Sequence, residues 1–230
     1  MDNERIEHLK GLFTGPLLDL KENLLMMAGL TDRNLNLALS ALMERDDAKA
    51  ELVEAEDAII DRLEVEIDEA VVLYVSTHGP IATECRIAFS VSKISESLER
   101  IADQAVAIAR RTRQLNRLPE SDRSGDYLKM GKLVIGMMRD GIHSFVNVDP
   151  ERAKEIVGRD KEVDRMNREI EAELHRTMAI DTANIPSYVH LLFISRALER
   201  SGDYCKSIGE DVHFLFTAQD IRHEQGFKSS

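Results

Sequence analysis

Four acidic pairs in this chain share the form acid-x-x-x-acid: Asp57/Asp61, Glu99/Asp103, Asp160/Asp164 and Glu199/Asp203. On an α-helix, residues four apart lie on one face, with Cβ atoms roughly 6 Å apart. Two carboxylates held there repel each other, and a bound cation reverses the sign of that interaction. Carboxylate oxygens suit hard or borderline ions, so Mg, Mn, Fe or Zn are the candidates. Spacing alone does not decide the matter. With 42 acids in 230 residues, chance predicts on the order of 7 or 8 such spacings on solvated acidic helices. Asp47/Glu51, Glu64/Asp68, Asp122/Asp126, Glu151/Glu155 and Glu169/Glu173 also have the spacing and read as ordinary surface. The four chosen pairs differ in recurring at matched places in both halves. Arg62, Arg100, Arg165 and Arg200 stand beside them and supply the competing reading, a network of ion pairs without metal.

Helices must position these groups. Apolar residues recur at threes and fours from Ile6 through Leu30, predicting a helix from Arg5 to Met43 that Pro16 kinks or interrupts. A second helix is expected from Asp46 to His78, with Asp46 or Asp47 as its N-cap. His78-Gly79-Pro80 breaks the chain, and a third helix follows from about Ile81 to Leu115. Residues 119–125 are polar and turn-like. The pattern then repeats: a helix from Tyr127 to Val146, one from the Asp149-Pro150 cap to about Met178, a break at Thr182–Pro186, and a last helix from about Ser187 to Phe216. The expected organisation is a first three-helix repeat over 1–118, a linker over 119–125, a second repeat over 126–217 and a polar tail over 218–230. The fold class is all-α, two tandem three-helix bundles, with no strand or hairpin signal.

The two halves superpose as sequences. At an offset of 103, Asp57, Ile60, Asp61, Arg62 and Leu63 meet Asp160, Val163, Asp164, Arg165 and Met166. At an offset of 100, Leu98-Glu99-Arg100 and Asp103 meet Leu198-Glu199-Arg200 and Asp203. Helices joined by a short connector are antiparallel neighbours. Asp61 lies 19 residues before Pro80 and Glu99 lies 19 after it, so the first-half pairs fall at one height. In the second half Asp164 is 22 before Pro186 and Glu199 only 13 after. There the pairs meet only if the helix breaks earlier, near Ile180.

Composition excludes several functions. A formal charge of −12 repels a phosphate backbone, so nucleic-acid binding is not expected. Cys85 and Cys205 have neither CxxC spacing nor a nearby His pattern, which fits two reduced thiols in a cytoplasmic protein. The charged start of the chain lacks the apolar core of a signal peptide, and no apolar run approaches ~18 residues. GxxxxGK[ST], GxSxG and HExxH are absent. A carboxylate-bridged di-metal oxidase calls for Glu-x-x-His on two helices, and the chain offers only Glu173 with His175 at the wrong spacing. No enzyme is expected. The alternative is a metal-free helical adaptor whose acidic faces bind a basic partner.

The same residues carry a family resemblance. Gly79-Pro80-Ile81-Ala82-Thr83-Glu84-Cys85-Arg86 is similar to a Q-P-x-A-x-D-L-R motif, and the stretch from Ser97 to Ala109 to D-L-E-R-I-G-D-H-A-V-N-I-A. Leu198 to Glu210 is its second copy, and residues 217–223 resemble a closing G-E-D-I-R-H. These motifs resemble the PhoU family of phosphate-uptake regulators over roughly residues 5 to 223. The resemblance implies a pair of three-helix bundles whose E/D-x-x-x-D pairs bind clusters of iron or other divalent ions. It further implies negative regulation of phosphate uptake. The partners implied are the ATPase of the phosphate ABC transporter and, in many bacteria, a phosphate-sensing histidine kinase. Membrane contact would then be peripheral, through partners, and a homodimer is left open. The motif His is Gln104 and Tyr204 here, its Asn is Ala107 and Ser207, and its Glu is kept as Glu210 but replaced by Arg110. The Arg110 charge leads to the expectation of a first-half site holding fewer ions, or none.

Overall fold

The computed structural model describes residues 3–119 and 125–222. It contains seven helices: α1 (Asn3–Gly11), α2 (Pro16–Glu44), α3 (Asp47–His78), α4 (Ala82–Asn116), α5 (Gly125–Asn147), α6 (Pro150–Ile180) and α7 (Ile185–Thr217). A short 3₁₀ turn, Thr182–Asn184, joins α6 to α7. Among the described residues there is no strand, and no helix is long and apolar enough to cross a membrane. Most of the expected linker, residues 120–124, and the end of the tail, 223–230, lie outside the described residues.

The helix ends follow local chemistry. The Asp46 side chain accepts hydrogen bonds from the backbone N–H of Ala48 and Lys49, and Asp149 accepts one from Arg152. Each cap satisfies a donor that the first turn leaves free. Gly79 closes α3 with φ +55°, a conformation a side chain would strain. Pro16 does more than kink its helix. The chain leaves the helix after Gly11, passes through Gly15 at φ +52°, and restarts with Pro16 in the first turn of α2. At that position proline's missing N–H costs nothing.

Helices α2, α3 and α4 pack on one another, as do α5, α6 and α7. The two bundles join mainly through α4 against α7, with α2 touching α5. α3 buries one stripe, Val53, Ile60, Leu63, Ile67 and Val71. By contrast α4 and α7 are buried on more than one side, through Ile94, Leu98, Ile101 and Val106 and through Ile194, Leu198, Ile208 and Val212. Helices buried that broadly lie at the centre of a fold. The α4–α7 pair is antiparallel, because Lys93 meets Asp211 at 2.5 Å at one end and the Arg111 guanidinium covers the Phe193 ring at 4.1 Å at the other. These contacts occupy duplicate positions, residue 93 matching 193 and 111 matching 211 at the offset of 100. The repeat has kept the place of the contact and exchanged an ion pair for a cation–π pair.

Close approach between α6 and α7 depends on glycine. A Cβ on Gly209 would stand 2.7 Å from the Ala153 carbonyl oxygen, and one on Gly202 would stand 3.0 Å from Val163. The first half has Ala109 and Ala102 at these places, so the second-half pair is the tighter one. Gly209→Ala is therefore expected to destabilise the protein by about 1–3 kcal/mol through overpacking against backbone. Gly158→Ala, with nothing within 4 Å, is expected to be neutral or to stabilise by up to ~1 kcal/mol. Urea denaturation of both variants checks the contrast, and equal effects would contradict it.

Candidate metal-binding carboxylate clusters

The acidic pairs lie on the two long antiparallel hairpins, α3–α4 and α6–α7. Across the first, Asp68 accepts a hydrogen bond from Ser92 at 2.5 Å and Asp47 one from Asn116 at 2.5 Å. That register puts Asp61 level with Glu99 and Asp57 level with Asp103. Across the second, Asn167 accepts from Ser195 at 2.5 Å and Glu171 pairs with Arg196 at 3.0 Å. Since α6 ends at Ile180, Asp164 is brought level with Glu199, and Asp160 lies near Asp203.

The electrostatics reflect this grouping. Burial is the first cause raising Asp57, to about 6, with the charges of Asp61 and Asp103 adding to it. Glu99 is pushed up to about 7 by burial and by Asp103, with smaller contributions from Glu64 and Asp61, while Arg100 opposes the shift. In the second half, burial and then Asp203, Asp164 and Asp160 raise Glu199. Asp203 is raised by burial and by Asp160, against Lys206. Asp160 is raised by burial, against Lys206. Each quartet thus holds carboxylates of mixed exposure, from buried Asp160 to exposed Asp61 and Asp203, whose charges act on one another across two helices. The Oδ1 of Asp160 is buried without a hydrogen-bond partner, and the Oε2 of Glu99 makes no hydrogen bond but faces the Arg100 guanidinium at 3.4 Å. By the chemistry of its donors, an all-carboxylate set suits a hard or borderline cation. As they stand, the described residues include no group of three His, Cys, Asp or Glu side chains gathered closely enough to hold an ion.

The arginines behave differently from the ion-pair expectation. Arg62 donates to the Ala58 carbonyl, and Arg165 pairs with Glu162 and Glu169, outside the quartet. Of the four arginines beside the acids, Arg100 is the one that forms ion pairs with quartet carboxylates among the described residues, at 3.4 Å from Glu99 and 3.8 Å from Asp103. Arg110 is directed to Glu54, to which it donates at 3.1 Å. Its effect on Asp57 is weaker than those of burial, Asp61 and Asp103. The cation within a quartet is instead Lys206, whose Nζ lies 3.3 Å from Asp160 Oδ2. Nothing in the helical period singles out Lys206, because only the register of α6 against α7 brings it beside Asp160. In sequence Glu64 reads as plain surface, although three residues after Asp61 a helix presents the same face. Cys85 and Cys205 are separate free thiols, and burial pushes the Cys205 thiol far up, away from reactivity.

The fold defines a class, a duplicated all-helical protein of two three-helix bundles with matched acidic pairs on each half. The family model described as the PhoU domain matches residues 24–112 and again 127–212. A phosphate-specific transport system accessory protein PhoU homolog of Pseudomonas putida is 34% identical over 217 residues, 94% of this chain and 85% of that protein. The accessory protein PhoU of Escherichia coli K12 is 30% identical over 96% of this chain and 91% of its own. The crystal structure of PhoU from Pseudomonas aeruginosa is similar with a TM-score of 0.87 and 33% identity, over 90% of this chain and 100% of that one. The phosphate transport system regulatory protein PhoU from Streptococcus pneumoniae gives a TM-score of 0.79 at 26% identity, over 88% and 96%. The chain belongs to the PhoU family.

The raised carboxylates carry a pH signature. Folded-state values of Asp57 and Glu99 lie above their ordinary 3.8 and 4.5, so between those values and about pH 7 the folded chain keeps protons that the unfolded chain has released. Stability from this source is therefore present at low pH and lost as pH rises through about 6 to 7. His190, lowered by burial and by Arg111, acts in the opposite sense, so the difference between proteins isolates the cluster. In chelator, Glu99→Gln is expected to be more stable than the unaltered protein at pH 8, with the gap closing towards pH 5. Thermal melts across that range check it, and a gap independent of pH would contradict it.

Proposed function

We propose that this protein is a negative regulator of phosphate uptake and phosphate signalling. It acts by contact with the ATPase of the phosphate ABC transporter, and with a phosphate-sensing histidine kinase in cells that have one. Its carboxylate clusters bind divalent or iron ions. The observation that carries this reading is the match to the PhoU domain in both halves. It is supported by full-length relatives that bear the name of a phosphate-specific transport accessory protein.

The reading assigns no catalytic step. Asp57, Asp61, Glu99 and Asp103 would hold ions on the first hairpin, and Asp160, Asp164, Glu199 and Asp203 on the second. A bound cation would supply neutralisation of charges that burial makes costly. Each quartet draws on two helices, so an ion would tie the helices of its hairpin together and fix the acidic face offered to a partner. The buried Asp160 Oδ1, which has no hydrogen-bond partner, supports this assignment. The metal-free adaptor is the second reading, favoured by the Lys206–Asp160 ion pair.

In cells lacking this protein, phosphate uptake in phosphate-rich medium is expected to rise several-fold, and the transporter ATPase is expected to co-purify with the protein from replete cells. Unchanged uptake, together with no association at high or low phosphate, would contradict the regulatory reading. Metal analysis of untagged protein separates the two readings: ions lost on neutralising the first quartet support metal binding, and no ions at all support the adaptor.

A further inference from the structure

Two of the stretches that carry the family resemblance have no part in the carboxylate clusters. Residues 79–86 end with Arg86 near the start of α4, and residues 217–223 include Arg222 just past the end of α7. Far apart in sequence, they meet in space: Arg86 and Arg222 line one groove with Phe89, Lys93 and Phe214. The antiparallel register explains the meeting. Lys93 pairs with Asp211 at 2.5 Å. Phe89 lies one turn before Lys93 and Phe214 one turn after Asp211, so the two rings fall at the same height, one on each bundle. Both are exposed, Phe89 at 67% and Phe214 at 37%. At the other end of the α4–α7 pair the exposed ring is Phe193, and the Arg111 guanidinium lies over it. At this end Lys93 is turned to Asp211 instead, and among the described residues no cation covers Phe89 or Phe214.

The groove is also cationic, in a chain of formal charge −12. Two of its three cations have carboxylate partners, Lys93 in Asp211 and Arg222 in Asp220. Arg86 has none among the described residues. One of its Nη atoms donates to Thr83 Oγ1 at 3.2 Å, and its Nε is buried without a hydrogen-bond partner. A buried donor on a charged group is costly to leave unpaired, and an anionic acceptor that reaches it recovers that cost. Exposed aromatic rings beside such a guanidinium are the composition of a binding hot spot.

We propose that this groove is the surface on which the protein docks its partner, and that the partner's docking segment is amphipathic and acidic. An apolar side chain enters between Phe89 and Phe214, and a carboxylate about one turn away reaches Arg86. This rests on the reading that the protein acts by contact with the transporter ATPase. It places that contact on the α4–α7 seam, away from the acidic seams of the two hairpins. Its sign is opposite to that of the adaptor reading, in which acidic faces bind a basic partner. Both bundles contribute a ring, so the surface exists only while α4 and α7 are packed together.

The test measures binding of the purified transporter ATPase to the full chain by isothermal titration calorimetry. Phe89→Ser is expected to weaken binding by about tenfold or more, and Phe193→Ser, at the far end of the seam, to leave it unchanged. Arg86→Gln is expected to weaken it several-fold, and Arg86→Glu further still. Circular dichroism verifies folding, and Phe214→Ser serves if Phe89→Ser does not fold. Binding unmoved by Phe89→Ser and Phe214→Ser, or unmoved or tightened by Arg86→Glu, would overturn the inference while leaving the regulatory reading intact. So would a dimer, seen by sedimentation, that Phe89→Ser dissociates without change in ATPase binding, since the groove would then belong to a second copy of this chain. No binding of the ATPase by the unaltered protein, at high or low phosphate, would overturn both.

Discussion

The packing of α4 against α7 is the constraint on which the rest of the molecule depends. Each half is a three-helix bundle, but the halves become one body through their third helices. Those helices must be apolar on the side facing their own bundle and on the side facing the other. That is why Ile94, Leu98, Ile101 and Val106 of α4, and their counterparts in α7, are buried around more than one face. Within the second bundle, Gly202 and Gly209 let α6 approach α7 closely. With two sides of α4 and α7 committed to the core, the remaining solvent-facing strip is the one that abuts α3 or α6. The acidic pairs lie along that seam. The partial burial of Asp57, Glu99, Asp160 and Glu199, and hence their raised proton affinity, is a consequence of how the bundles join.

The connectors then set the height at which acids meet. An antiparallel pair joined by a tight break has a register determined by the break itself. Gly79 ends α3 abruptly, and the symmetry of Asp61 and Glu99 about Pro80 follows. In the second half the helix ends at Ile180, six residues before Pro186, and the 3₁₀ turn takes up the difference. The conserved quantity between the halves is therefore the meeting of the pairs, not the length of the connector. Repulsion among the partly buried members of each quartet works against the fold, and nearby side-chain cations, Arg100 in the first half and Lys206 in the second, offset part of it.

Much of this could be read from the amino-acid order. The caps at Asp46 and Asp149, the break at Gly79 and the repeat at offsets of 103 and 100 all rest on short-range rules, and each lies where the sequence places it. The recurrence of the acidic pairs was legible because matched carboxylates are rarer than matched leucines. What escaped were side-chain directions. Arg110 reads as an intruder in the first cluster, but a long flexible side chain takes the nearest carboxylate, and Glu54 on α3 is nearer. Lys206 reads as a surface lysine until the register of α6 against α7 brings Asp160 beside it. Glu64 belongs with Asp61 and Glu99 only once α4 is in place. Nor does the helical period reveal which helix of each half will face the other bundle. The breadth of burial on α4 and α7 is a tertiary property, visible in sequence only as an excess of small and apolar residues.

The central claim is that the helical hairpins bring separate acidic pairs into one cation-demanding cluster. Anomalous diffraction from crystals of the full chain soaked in Mn²⁺ tests it most directly. The account predicts an anomalous peak in the seam between α3 and α4, within bonding distance of oxygens from Asp57 or Asp61 and from Glu99 or Asp103. Peaks confined to the outward acids such as Asp47 and Glu51, with that seam empty, would contradict it.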